Sequence, residues 1–284
     1  MWTNQRAHYD AMVSKRSGKR REDSPIYDVL RYHNDIKRYL INTFSPRGGS
    51  LMDFATGRGG DLSKWVQAGL RYVKGYDLSP EEIAEARRRV ASYDTKGTIV
   101  EFEATERIGS RRFVDAKGPF DVVSCMFALQ YFYKSQETLD ALLENVSMNL
   151  REGGYFVGTV PDGKRILKVL DRKDAYENSY MRIAKRFRGE PKSPFGNAIE
   201  FSLIGTVTEG GAPEYLAFFT PLKELAAKHG LVPVFDYDGP PGMFEPADVR
   251  ETFKHFQGVQ TNDPDKHKIS SIFCAFAFQK RSPW

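Results

Sequence analysis

The sequence predicts an α/β fold: one mostly parallel sheet of seven strands, helices on both faces, and an antiparallel pair of strands near the C-terminus. Three observations carry that expectation. Short apolar runs alternate with longer amphipathic ones between residues 50 and 160, the pattern of strands fed back through helices. A loop of small residues, Ala55-Thr56-Gly57-Arg58-Gly59-Gly60, follows the first apolar run directly. An acid, Asp77, stands at the end of the second.

A first helix is expected over Pro25–Phe44, because Ile26, Val29, Leu30, Ile36, Leu40 and Ile41 can share one helical face and Pro46 stops it. The first strand spans Ser50–Ala55, and the helix after the loop covers about Asp61–Ala68. Tyr72–Tyr76 is the second strand. The next helix opens on Ser79-Pro80-Glu81-Glu82, with a capping serine, a proline in the first turn and acids against the positive helix end. A third strand lies near Thr98–Phe102 and a fourth at Phe120–Met126. A helix over Ser135–Leu150 leads through Gly153-Gly154 into a fifth strand, Tyr155–Val160.

Beyond it, Lys and Arg dominate from Asp162 to Pro194, which predicts a surface insertion over about 162–197. Strand character returns at Ala198–Val207 and Glu214–Phe219, a short helix at Pro221–His229 ends on Gly230, and Val232–Tyr237 reads as a strand. Gly239–Lys268, rich in Pro, Gly and charge, reads as a second insertion, and Ile269–Gln279 closes the sheet. The polar, basic residues 1–24 read as a mobile arm ahead of a single domain over 25–284.

Composition bounds the function. Lys and Arg number 42 against 37 acids, a net charge of +5, which permits an anionic partner such as RNA without requiring one. Cys125 and Cys274 both sit in apolar runs, so neither disulfide scaffolding nor a zinc site is expected. The five histidines show no ligand spacing. A signal-peptide pattern and a membrane-length apolar run are both missing, which predicts an intracellular setting with no membrane partner and no metal.

The chemistry concentrates in LMDFATGRGGD, Leu51–Asp61. Gly57, Gly59 and Gly60 carry no Cβ, so the backbone there can turn tightly and approach a ligand closely. Asp53 lies inside the motif, and Asp77 falls about where a ribose-binding carboxylate is expected. The pairing suits S-adenosylmethionine or a dinucleotide. A dinucleotide fingerprint wants G-x-G-x-x-G, and Ala55 stands where its first glycine would be. The whole layout, Rossmann-like with an antiparallel C-terminal pair, is that of class I methyltransferases.

From about Tyr9 to Lys280 the chain also resembles the eukaryotic and viral mRNA cap guanine-N7 methyltransferases. The matching segments are Asn34 and Lys37 in RYHNDIKRYLI, Asp53 with Gly57, Gly59, Gly60, Asp61 and Leu62, the strand exit Phe127-Ala128-Leu129-Gln130-Tyr131-Phe132, GGYFVGTVPDG at Gly153–Gly163, Pro213-Glu214-Tyr215, and FCAFAFQK at Phe273–Lys280. The resemblance implies S-adenosylmethionine as cofactor and the GpppN end of capped RNA as substrate. On the cofactor side it implies Lys37 at the methionyl carboxylate, Ala55 and Gly57 at the methionine part, Asp77 at the ribose hydroxyls and Glu106 near the adenine amine, with Asp53, Asp61 and Met126 in the same site and Tyr131 near the transferred methyl. On the cap side it implies Glu214 accepting from guanine N1 and N2, apolar walls from Phe127, Phe201, Pro161 and Phe273, and contributions from Asn34 and Gln130. Arg58, Lys64 and the basic segment Lys164–Arg188 are candidates to face the triphosphate.

Three positions depart from the family pattern: Gln130 replaces a histidine, Phe273 a tyrosine, and Met126 stands where glutamine is common. Glutamine still offers hydrogen bonds to a base, and phenylalanine stacks without the hydroxyl. A nuclear enzyme is implied, or a cytoplasmic one if viral, working with other capping enzymes or an activating subunit. Two other readings stay open at this point: a class I methyltransferase for a small metabolite or protein, and a catalytically silent RNA-binding subunit.

Overall fold

The structure is a computed structural model that describes residues 6–8, 10, 11, 21–246 and 252–281. Most of the arm expected over residues 1–24 therefore lies outside the described residues.

Helix α1 (Tyr27–Phe44) buries Val29, Ile36, Leu40 and Ile41 along one face. It ends where Ser45, extended at φ −95° and ψ 122°, precedes Pro46, since a residue before proline is pushed out of the helical region. Strand β1 (Ser50–Phe54) follows and is buried at every position, as a central parallel strand covered on both faces must be. The next elements are α2 (Leu62–Gln67), β2 (Tyr72–Asp77), α3 (Pro80–Ala91), β3 (Ile99–Ala104), β4 (Phe120–Met126), α4 (Gln136–Asn149) and β5 (Leu150–Pro161). The α3 start is as its sequence dictates: Ser79 Oγ accepts from Glu82 N and Pro80 occupies the first turn.

The chain continues through α5 (Gly163–Leu170), β6 (Ala175–Glu177), β7 (Met181–Lys185), β8 (Ala198–Leu203), β9 (Ala212–Tyr215), α6 (Phe219–Lys228), β10 (Leu231–Pro233), β11 (Lys254–His255), α7 (Pro264–Ser271) and β12 (Phe273–Lys280). The main sheet has the order β10-β12-β5-β4-β1-β2-β3, with the two-residue β11 pairing β12. The ladders from β3 to β5 are parallel, and β12 runs antiparallel to both β5 and β10. The C-terminal pair is thus antiparallel, but its connection is long and carries β11 and α7. Alternate residues of β1 feed two apolar layers: Leu51 packs with α1, α2 and α3, while Met52 and Phe54 pack with α4 and α6.

Four boundaries differ from the sequence reading. Val232–Tyr237 yields only a three-residue strand ending at Pro233; one further bond in register, Val234 N to Ala277 O at 2.9 Å, follows before the chain leaves the sheet. Ile269–Ser271 belong to α7, nucleated by Pro264 and by Asp263, whose side chain accepts from Asp265 N and Lys266 N. The expected strands Ala198–Val207 and Glu214–Phe219 shorten to β8 and β9, with a turn between them and α6 starting at Phe219.

The largest difference lies in the stretch read as a surface insertion. Its β6 and β7 join β8 and β9 in a second, antiparallel sheet ordered β6-β7-β8-β9. Met181 and Ile183 point inward and join the α1-side core, while the intervening Arg182 faces outward. The period-2 signal was present, masked by the basic composition around it.

Candidate functional site

In an open parallel sheet a ligand crevice forms beyond the carboxyl ends of the strands, where strand order reverses. Here that point is β1, flanked by β2 on one side and β4 on the other. Two adjoining cavities open there, of about 270 Å³ and 220 Å³. They share Lys37, Phe127, Tyr131 and Val207 as a common wall.

The first cavity lies against the small-residue loop. Gly57 and Gly59 take φ of +52° and +69°, and Ala55 takes the left-handed region too, at 61°. A glycine would sit there without the Cβ clash that Ala55 tolerates. Asp77 ties loop to sheet: its Oδ2 accepts from Gly57 N at 2.7 Å and its Oδ1 from Ser79 N at 3.0 Å. Burial pushes the Asp77 carboxyl up to about 6, against the pull of those amides.

On the opposite side, Asp61 receives Lys37 Nζ at 2.6 Å and Lys64 Nζ at 2.7 Å. Burial alone would raise this carboxyl, but the two ammonium groups outweigh it and hold Asp61 below the ordinary carboxylate range. Asp61 occupies the N-cap position of α2 yet makes no side-chain cap hydrogen bond; its oxygens serve the lysines instead. Lys37, Ala55, Gly57, Asp61, Asp77, Glu106, Met126 and Tyr131 all line this cavity. Glu106 stands at the rim and pairs with Arg6 at 3.4 Å. His8, from the same described stretch of the arm, meets Val207 O through Nε2 at 2.8 Å.

The second cavity is lined by Asn34, Phe127, Gln130, Phe201, Glu214 and Phe273, joined by His33. Glu214 is 2% exposed. Its Oε1 accepts from the Tyr131 hydroxyl at 3.1 Å, and its Oε2 has no hydrogen-bond partner. Burial pushes Glu214 up to about 7, opposed by the neighbouring Gln130 amide and Tyr131 hydroxyl. Gln130 donates Nε2 to Phe127 O and leaves its own Oε1 unbonded. Phe127 and Phe273 meet edge to face at 5.3 Å, and the His33 ring stacks on Phe127 at 5.4 Å. His33 is held neutral, its pKa lowered to about 3 by burial and by the Lys37 charge.

Phe127 itself has φ 55°, a conformation that costs a bulky residue of the order of 1–3 kcal/mol. Thr159 holds it there, its carbonyl and Oγ1 both accepting from Phe127 N. The strained residue forms the wall between the two cavities.

Three expected contact residues stand elsewhere. Asp53 is 3% exposed and lies behind the loop, accepting from Ser124 Oγ at 2.5 Å. Burial and the Asp61 charge push its carboxyl up to about 7. Pro161 ends β5 opposite Phe273 and lines neither cavity. Lys64 is 2% exposed, so it cannot face a triphosphate; α2 turns it inward to Asp61. In the basic segment, Arg165 pairs with Glu245, and Arg182 and Arg186 with Glu200. The sequence reading missed Glu82, Thr105, His33 and Thr208 as wall residues. Glu82 alone carried a local signal, as the acid three residues after a capping serine.

Comparison with known proteins adds the decisive observation: the profile of the mRNA (guanine-N(7))-methyltransferase domain family matches residues 3–281. The chain belongs to that family. An mRNA cap guanine-N(7) methyltransferase of Saccharomyces cerevisiae is 28% identical, over 97% of this chain and 69% of that protein. One from rice is 30% identical, over 96% of this chain and 80% of the other. One from Arabidopsis thaliana is 31% identical, over 80% of this chain and 65% of its own length.

Among solved structures, the CcbJ methyltransferase of Streptomyces caelestis superposes with a TM-score of 0.58 at 13% identity, each chain covered to 94%. An S-adenosylmethionine-dependent methyltransferase from Clostridium acetobutylicum superposes with a TM-score of 0.54 at 14% identity, over 99% of this chain and 100% of that one. These two show the class I methyltransferase fold. Among the described residues of this family member, no helix is long and apolar enough to cross a membrane, and no three His, Cys, Asp or Glu side chains cluster to hold a metal ion.

Proposed function

We propose that this cap guanine-N7 methyltransferase binds S-adenosylmethionine in the loop-side cavity and the guanine of a GpppN RNA end in the adjoining one, and transfers the methyl across the shared Phe127–Tyr131 wall. The observation that carries the reading is Glu214: a buried carboxylate with one oxygen unbonded, on the wall of the second cavity and bonded to a tyrosine that borders both. On this reading it accepts from the N1 and N2 protons of a guanine edge.

The loop-side residues suit the cofactor. Asp77 and its neighbours offer acceptors to ribose hydroxyls, and Lys37 offers a cation to the methionyl carboxylate. Bound there, S-adenosylmethionine supplies an electrophilic sulfonium methyl. The protein's part is alignment. Guanine N7 carries an exposed lone pair, so no proton has to leave before attack, and orientation of this kind supplies roughly 7–11 kcal/mol of barrier lowering. The ionised Glu214 also favours the positive charge that guanine acquires on methylation. Phe127, Phe201 and Phe273 enclose the base. Gln130, with its free carbonyl oxygen, takes the place that a histidine fills in the family pattern. Action in the nucleus, with other capping enzymes or an activating subunit as partners, belongs to the same proposal.

Crossed titrations test the two sites. Glu214→Ala abolishes binding of a GpppA cap analogue and keeps S-adenosylhomocysteine affinity near wild type, while Asp77→Ala weakens S-adenosylhomocysteine first. Equal loss of both ligands in Glu214→Ala overturns the assignment.

A further inference from the structure

Glu82, a wall residue of the loop-side cavity, is 3% exposed. It sits at the third helical position of α3, behind the N-cap Ser79. In a capping box a glutamate at this position reaches back to the N-cap backbone N–H. Here that N–H is taken: Ser79 N donates to Asp77 Oδ1 at 3.0 Å. Only half the box forms, with Glu82 N donating to Ser79 Oγ at 3.1 Å.

The displaced carboxylate is buried at the cavity wall, and neither Oε1 nor Oε2 has a hydrogen-bond partner. Its charge is balanced by Arg58, whose Nε lies 3.4 Å away and is itself without a hydrogen-bond acceptor. Glu82 Oε2 stands 4.0 Å from where a Cβ on Gly57 would be, on the loop that Asp77 also holds. Two carboxylates therefore stand close to Gly57. Asp77 already accepts one backbone amide on each oxygen, while Glu82 has accepted nothing. Leaving a buried carboxylate oxygen unbonded is costly, and a ligand hydroxyl relieves that cost.

We propose that Glu82 accepts one of the two ribose hydroxyls of the cofactor and Asp77 the other, with Arg58 as the counter-ion of Glu82. This rests on the reading of the loop-side cavity as the S-adenosylmethionine site and adds a second specificity-determining acid to it.

Calorimetric titration of wild type, Glu82→Ala and Glu82→Gln with S-adenosylhomocysteine and its 2′-deoxy and 3′-deoxy forms tests the assignment. In the wild type, removal of either hydroxyl weakens binding about tenfold or more, as expected of a hydrogen bond to a charged acceptor. In Glu82→Ala the parent ligand weakens by a similar factor, and the penalty for losing one of the two hydroxyls disappears while the other persists. Glu82→Gln, which keeps the size and one acceptor oxygen, shows an intermediate penalty. Unchanged penalties for both deoxy ligands in both variants overturn the proposal. Failure of wild type to bind S-adenosylhomocysteine at all instead overturns the cofactor reading beneath it. Retained affinity for GpppA shows that each variant has kept its fold.

Discussion

Glu214 makes the sharpest prediction, because one carboxylate sets both cap affinity and a pH-dependent part of stability. Burial raises its pKa from 4.5 to about 7 in the free protein. Only the ionised form accepts from both guanine N1–H and N2–H. The competent fraction is about one-tenth at pH 6 and nine-tenths at pH 8, so affinity for unmethylated GpppA should rise about tenfold between them. The sign for stability is opposite. With a folded pKa above the unfolded one, the group contributes fully below the unfolded value of 4.5, and that contribution is lost as pH rises through about 7. Carrying the charge at pH 8 thus costs the free protein about 3 kcal/mol. Glu214→Gln keeps the shape and removes the charge, so it should melt higher than wild type at pH 8, match it at pH 4.5, and bind GpppA weakly at every pH. Titration calorimetry from pH 6 to 8 and thermal melts at pH 4.5 and pH 8 check both arms. A flat cap affinity across that range, or a Glu214→Gln protein that binds GpppA like wild type, refutes the reasoning.

Three further outcomes follow from the same geometry. Asp61→Ala leaves Lys37 and the buried Lys64 facing each other without their shared carboxylate; chemical denaturation should show a loss of about 3–5 kcal/mol, partly recovered by adding Lys64→Met. Ala55→Gly relieves a left-handed alanine but gains unfolded-chain entropy, so its stability should lie between unchanged and about 1 kcal/mol above wild type, whereas an ordinary α-region alanine would lose stability on the same change. The cap triphosphate is polyanionic, so capped-RNA affinity should fall with salt at a log–log slope of about 0.7 per phosphate contacted, while S-adenosylhomocysteine affinity changes little; equal salt responses would remove phosphate contacts from cap binding, and Arg58, paired with Glu82 in the loop-side cavity, is not among the expected contacts.

The sequence by itself determined the sheet and its ligand edge. Strand–helix alternation, the left-handed loop after β1 and the acid ending β2 are local features, set by apolar periodicity and by which residues tolerate positive φ, so they survive without knowledge of what packs where. The cap-side pocket was legible only through resemblance. Nothing local in Ala-Pro-Glu-Tyr distinguishes Glu214 from an exposed strand acid; it becomes a buried carboxylate because β9 pairs with β8, Ile199 against Glu214, and packs on the Leu129–Lys134 segment that follows β4.

The direction of charged side chains was decided in three dimensions as well. Asp53 and Lys64 sit in the same motif as Gly57 and Asp61, yet one is drawn behind the loop by Ser124 and the other inward by Asp61. Glu82, a cap residue by spacing, is left unbonded at the cavity wall because Asp77 holds the amide it would otherwise take. Spacing along the chain fixes which groups can compete for a partner. Which group wins depends on distances between segments far apart in sequence, and those exist only once the sheets have packed.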